Sequence, residues 1–306
     1  MVIRHLCGST TWVDLECPTK EELKQVMEEY GISSRVEDEI VNPTPYPLSV
    51  SFPAYSYLIL HFPIADVHEG TRSQEIDFIV GKNFLITVRY ETIAPVHNLH
   101  KIFEAEELLD LPAPERASGA ELTELVFRRL YRAIREEVEQ TARLLERIEE
   151  DVFSGKERET VRKISDAGRV LLRFETVLRR HEEPLTIFLG ELSDKRFFGP
   201  AFKVHATSIE AEREHVAALV VSYRAVVREL RTTNDSLLSS SQNEVMKYLA
   251  FMSLLTFPLT LIAAIFAMET DYLPIVGLPH DFWIVIGIMV LVGSGLFLFA
   301  RAKRWL

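Results

Sequence analysis

The spacing of apolar side chains changes rhythm along the chain, and each rhythm predicts a different element. From residue 11 to about 103 the pattern is mixed. Trp12-Val13-Asp14-Leu15 reads as a short strand. Thr19, with Glu21 and Glu22 behind it, opens a helix that ends near Tyr30-Gly31, and Ser33 or Ser34 opens a shorter one through Ile40. Asn42-Pro43-Thr44-Pro45-Tyr46-Pro47 breaks that helix. Strands are predicted at 48–52, 55–62, 74–80 and 84–89; the last two alternate with period two and are joined by the tight turn Gly81-Lys82-Asn83. Residues 1–117 therefore read as an α/β domain.

From Ser118 the period becomes helical. Ser118-Gly119-Ala120-Glu121 is a capping box, in which two side chains satisfy exposed amides of the first turn. Leu122, Leu125, Val126, Leu130, Ile134, Val138, Ala142, Leu145 and Ile148 then recur at helical spacing until Gly155. A second helix is predicted over 157–189, with Pro184 kinking or ending it and Gly190 after it. Residues 118–199 form an antiparallel helical hairpin. Pro200 opens the next helix, and from there to Ala267 the chain has no glycine and one further proline, Pro258. At about 1.5 Å per residue such a helix is roughly 100 Å long. No soluble core needs that length; in a homo-oligomer it would be a stalk.

Two uncharged runs end the chain, 248–268 and 282–300. A bilayer core is about 30 Å thick, so each can span it once. The alternative, two buried core helices of a soluble protein, demands unusually long apolar elements in tandem. Lys247 precedes the first run; Arg301, Lys303 and Arg304 follow the second, and the connection 269–281 carries Glu269, Asp271 and Asp281 but no Lys or Arg. The positive-inside rule puts both termini in the cytoplasm, the 269–281 loop outside, and the protein in an inner or plasma membrane. Residues 200–268 are thus a stalk continuing into the first span, and 282–306 the second span with a basic tail.

The net charge of −11 speaks against nucleic acid as a partner and suits the handling of cations. Cys7 and Cys17 lack metal-site spacing, the N-terminus has no apolar signal segment, and no phosphate loop or nucleophile–base motif is present, so an enzyme is not expected. His97 and His100 sit at i, i+3, and His61 and His68 flank a loop, patterns met more often in surface histidines than in zinc sites.

Several motifs carry a resemblance. Asn243-Glu244-Val245-Met246-Lys247, Phe257-Pro258-Leu259-Thr260, Thr270-Asp271-Tyr272-Leu273-Pro274 and the ending Arg301-Ala302-Lys303-Arg304-Trp305-Leu306 resemble the CorA-type (CorA/ZntB-like) family of divalent metal ion transporters. The string from Gln74 to Val88 resembles that family's cytoplasmic sheet. The resemblance implies an α/β cytoplasmic domain, a helical stalk and two transmembrane helices assembled as a homopentameric funnel in the lipid bilayer, with no resident cofactor. It implies a channel for divalent cations, magnesium first and zinc, cobalt or nickel as alternatives. The family signature Gly-Met-Asn is replaced here by Ala267-Met268-Glu269. That loss leaves room for a non-conducting scaffold or regulatory protein.

On a pore helix the residues facing the axis recur three to four apart. From Asn243 that face reads Asn243, Met246, Leu249/Ala250, Ser253, Phe257, Thr260, Ala264 and Met268. The resemblance puts Asn243 at the inner mouth, Met246 and Leu249 at a constriction that gates by dewetting, and Phe257 at a second one. Ordinary helix–helix contacts are the alternative. Glu269 stands where the signature has Asn, at the point that admits and selects the ion. A ring of five glutamates would bind divalent cations and titrate as a group. Asp271 could share the role, and a solvated loop carboxylate is the plainer reading of Glu269.

Overall fold

Local rules start the helices of the N-terminal part. In the computed structural model, which describes residues 1–64, 72–108, 118–268 and 280–303, the Thr19 hydroxyl accepts from the Glu22 amide and the Glu22 carboxylate accepts from the Thr19 amide, a complete capping box for α1 (Lys20–Glu29). Ser33 caps α2 (Ser34–Val41), and Ser118 with Glu121 caps α4 (Gly119–Phe153) in the same reciprocal way. Contacts divide the chain into two units, Met1–Arg231 and Thr232–Leu306.

The first unit is built on a six-stranded sheet with the order β1-β2-β6-β5-β4-β3. Its strands are β1 (Val2–Cys7), β2 (Thr10–Glu16), β3 (Leu48–Ser51), β4 (Tyr55–Ile64), β5 (Arg72–Gly81) and β6 (Phe84–Arg89). β2 and β6 run parallel; the other neighbours are antiparallel. Alternation along the strands divides their side chains between two faces. Val13, Leu15, Tyr57, Ile59, Ile79, Ile86 and Val88 form one core with Leu23, Val26 and Met27 of α1 and Val36 and Ile40 of α2. Each such side chain, fully buried, contributes about 1.5–3 kcal/mol.

The opposite face is covered by α3 (Ala94–Leu108), α4 and α5 (Glu157–Asp194). Its centre is aromatic: Phe78 of β5 stacks on Phe127 of α4 with centroids 4.7 Å apart, and Phe62 meets the ring of His181 on α5 edge-on. α6 (Phe202–Phe266) gives its first part to this unit, where Arg135 of α4 pairs with Glu212 at 3.1 Å.

The fold class is the expected one, with two departures in detail. β1 and α3 are additional elements that the sequence reading did not place. Pro184 does not end α5, which continues through it and through Gly190 to Asp194. The missing amide costs one helical hydrogen bond. Leu185, Phe188, Leu189 and Leu192, all buried just beyond it, outweigh that loss.

Candidate ion pathway

The second unit contains the rest of α6 and α7 (Asp281–Ala302). Both helices are long and apolar enough to cross a membrane, and the most apolar 18-residue stretch of each has no buried residue. A core helix of a soluble protein would bury that stretch. Here the two helices present Met252, Leu261, Ile265, Leu291 and Leu298 outward, which is favourable only against lipid or another protein surface.

α6 touches α7 along one stripe. Phe251 meets Phe297 edge-on with centroids 6.3 Å apart, and Leu259 lies beside Gly293, where an added Cβ would come to 3.8 Å. Phe251, Leu254, Leu255, Pro258, Leu259, Ile262 and Phe266 are the half-buried residues of this part of α6. With 3.6 residues per turn, the stripe Asn243, Met246, Ala250, Ser253, Phe257, Thr260, Ala264 and Met268 falls roughly 180° away. Every one of those residues is exposed in the single chain, the large apolar Phe257 at 77%. Leu249, at 57%, flanks the stripe. The face that the sequence pattern picks out as axial is therefore opposite the face that holds α7.

Pro258 sits inside α6 without ending it. Two threonines bracket it, and each hydroxyl is turned back on the helix: Thr256 donates to Met252 O at 2.7 Å and Thr260 to Thr256 O at 2.8 Å. The proton of each hydroxyl is thus committed, which leaves only lone pairs for any cation that approaches Thr260. Glu269 and Asp271 lie outside the described residues, as does Arg304 of the basic tail.

In the first unit the histidines are not surface groups throughout. His100 on α3 is 2% exposed; its Nε2 is 2.8 Å from Asp14 Oδ2, and its Nδ1 is 2.8 Å from His5 Nε2. Arg89 donates to the same carboxylate from Nε at 3.0 Å and Nη2 at 2.9 Å, and Thr87 donates to Oδ1 at 2.5 Å. Burial pushes the Asp14 carboxyl up; hydrogen bonding from His100 and the charge and hydrogen bonds of Arg89 outweigh it and hold the pKa below the usual range. This network fastens α3 to the sheet. His181 is fully buried, 3.1 Å from Tyr131 Oη and 2.8 Å from His61 O. Burial lowers its pKa to about 4, so it is neutral at physiological pH. His61 is part-buried against Thr44 O, His97 is exposed, and His68 lies outside the described residues. Among the described residues no three His, Cys, Asp or Glu side chains are arranged to hold a metal ion.

Comparison with known proteins agrees with this architecture. A family model described as CorA-like Mg2+ transporter protein matches residues 8–301. The chain is similar to the Cobalt/magnesium transport protein CorA of Thermotoga maritima, 25% identical over 315 residues that cover 98% of this chain and 84% of the relative. It is 22% identical over 300 residues to the Cobalt/magnesium transport protein CorA of Methanocaldococcus jannaschii, covering 96% and 91%. The complete structure of the CorA magnesium transporter from M. jannaschii matches with a TM-score of 0.81 at 20% identity, over 97% of this chain and 92% of that one. The full-length CmaX protein matches with a TM-score of 0.70 at 14% identity, over 97% and 89%. With two exposed apolar helices long enough to cross a membrane, and a family match over residues 8–301, this chain belongs to the CorA-like Mg2+ transporter family.

Proposed function

We propose that the protein is a homopentameric channel that admits divalent cations to the cytoplasm, magnesium first among them, with α6 lining the path and α7 packed outside it. The observation that carries this reading is the two-sidedness of α6. Its α7 side is continuous and apolar, whereas the opposite side mixes Asn243, Ser253 and Thr260 with Met246, Phe257 and Met268. Lipid would favour a wholly apolar face, so a stripe with polar groups is better accounted for by a shared aqueous axis. The names of the relatives, magnesium and cobalt/magnesium transport proteins, support the choice of ion.

In this reading both termini are cytoplasmic, and an ion of charge two gains roughly 4.6 kcal/mol per 100 mV of inside-negative potential, which removes the need for a fuel. Met246 and Leu249 form an inner apolar ring and Phe257 a second, both closing by dewetting. Ser253 and Thr260 flank the Phe257 ring with oxygen acceptors that can replace water around a passing cation. Glu269 supplies the outer ring of carboxylates in place of the signature amide, with Asp271 beside it. Zinc, cobalt and nickel are the competing cargoes, because carboxylates discriminate less than amides.

The test is uptake into proteoliposomes under an imposed inside-negative potential, comparing magnesium, zinc and cobalt. Magnesium uptake that grows with the potential supports the proposal. Protein that remains an intact oligomer yet passes no divalent ion sinks it and makes the chain a membrane scaffold that keeps the fold alone.

A further inference from the structure

A second cluster in the α/β unit raises a question of proton count. Glu39 of α2 and Glu75 and Asp77 of β5 lie together at the C-terminal end of α2. Thr44, just past α2, joins two of them: its hydroxyl donates to Glu39 Oε1 at 2.9 Å and its amide to Glu75 Oε2 at 2.6 Å. The second Glu75 oxygen is buried without a partner. The basic group beside them is His61, whose Nε2 is 3.5 Å from Glu75. Asp77 is wholly buried, and the groups that face it are Tyr57 from β4, Tyr90 from just beyond β6, Glu75 from its own strand and Glu39 from α2.

Tyr57 donates to Asp77 Oδ1 at 3.2 Å. Tyr90 Oη lies 2.9 Å from Asp77 Oδ2 and 2.5 Å from the carbonyl oxygen of Ile40, in the last turn of α2. A phenol has one proton, and a backbone carbonyl has none to give. If the Tyr90 proton goes to Ile40 O, the shorter contact, the remaining contact brings two oxygens together with no hydrogen between them. A hydrogen on Asp77 Oδ2 resolves this: the acid donates to Tyr90 and Tyr90 donates to Ile40.

We propose that Asp77 carries a proton in the folded protein at neutral pH, and that this proton closes a pH-sensitive latch holding the end of α2 and the segment after it to the sheet. Burial, and next the charge of Glu75, both favour the protonated acid. Loss of the proton leaves Tyr90 with one hydrogen for two acceptors and sets a third negative charge beside Glu39 and Glu75. The hydrogen bonds that hold α2 then compete with that repulsion, and the segment opens.

The experiment uses the full chain in detergent. Infrared spectra of wild type and Asp77→Asn are compared for the carbonyl stretch of an un-ionised carboxylic acid, and hydrogen exchange of residues 36–47, corrected for intrinsic rates, is followed as pH rises. Asparagine can donate to Tyr90 and accept from Tyr57, so the variant mimics the latched state. The expected result is an acid band at neutral pH that Asp77→Asn lacks. As alkali removes that band in wild type, exchange protection of 36–47 should fall about tenfold, the worth of one lost hydrogen bond, while Asp77→Asn stays protected. If Asp77→Asn does not fold, Tyr90→Phe carries the test: protection should be low at all pH values with the acid band still present. Absence of an Asp77-dependent band at neutral pH overturns the proton assignment. Loss of the band with unchanged protection, or full protection in Tyr90→Phe, overturns the latch.

Discussion

Replacing Asp14 by alanine should cost about 3 kcal/mol of folding stability, near the low end of what removing one partner from a buried ion pair costs. Asp14 and Arg89 both have side chains with no exposure, and Arg89 holds the carboxylate through two nitrogens. Removing the carboxylate strands a buried guanidinium and deprives Thr87 and His100 of an acceptor. The loss is moderated because Arg89 Nη2 keeps Glu16 Oε2 at 2.7 Å. Trp12 is buried and stacked on His100 with centroids 4.2 Å apart, so its fluorescence reports on this site once Trp283 and Trp305 are replaced by phenylalanine. Denaturant titration of that reporter gives the stability difference from the shift in midpoint. Arg89→Met added to Asp14→Ala should recover about 2 kcal/mol, since the double variant no longer buries a guanidinium without its Asp14 partner, and Glu16, whose side chain is partly exposed, keeps Thr92 as a donor. The sign with pH follows from the lowered pKa of Asp14. Its contribution is complete above the unfolded value near 3.9 and is lost as pH falls through the folded one. An Asp14→Ala variant within about 1 kcal/mol of wild type, or a double variant no better than the sum of the single ones, would refute the reasoning.

Other expectations follow from the same geometry. His181 has a folded pKa of about 4 against 6.5 unfolded, so stability should fall by roughly 3 kcal/mol as pH drops through that window; His181→Gln, which can still donate to His61 O and accept from Tyr131, should flatten the acid limb in pH-dependent melts. Phe257→Ala should raise basal divalent uptake about tenfold, as expected for a barrier lowered by about 1.4 kcal/mol, in the proteoliposome assay. Glu269→Gln should weaken half-saturation by divalent ions about tenfold and change the preference between magnesium and cobalt, because a ring of charges becomes a ring of amides. Unchanged half-saturation and preference would make Glu269 a solvated loop residue.

Much of the fold is legible because its signals are local. Thr19, Ser33 and Ser118 mark helix starts within three residues of the amides they cap, and the strand at Phe84–Arg89 begins where a Gly-Lys-Asn turn releases it. What is missed depends on distance. β1 is held by antiparallel pairing with β2, and its own run, Val2 to Cys7, carries Arg4 and His5. His100 sits at helical spacing from His97, yet its partner Asp14 is 86 residues away, so a buried network looks like a surface histidine pair. Pro184 misleads in the other direction: the helix-breaking rule is local, and the buried residues that overrule it pack on the sheet. On α6 the reverse holds. A period of three to four picks out the stripe from Asn243 to Met268, while the identity of the opposite side as the α7 contact requires coordinates.

The central claim is that one face of α6 borders the ion path and the opposite face does not. Single cysteines at Ser253, Thr260, Leu255 and Ile262, introduced after Cys7 and Cys17 are replaced, would test it in potential-driven magnesium uptake. A charged methanethiosulfonate reagent should abolish uptake when the cysteine is at 253 or 260 and leave it nearly unchanged at 255 or 262. Block at 255 and 262 with full uptake at 253 and 260 would contradict the account.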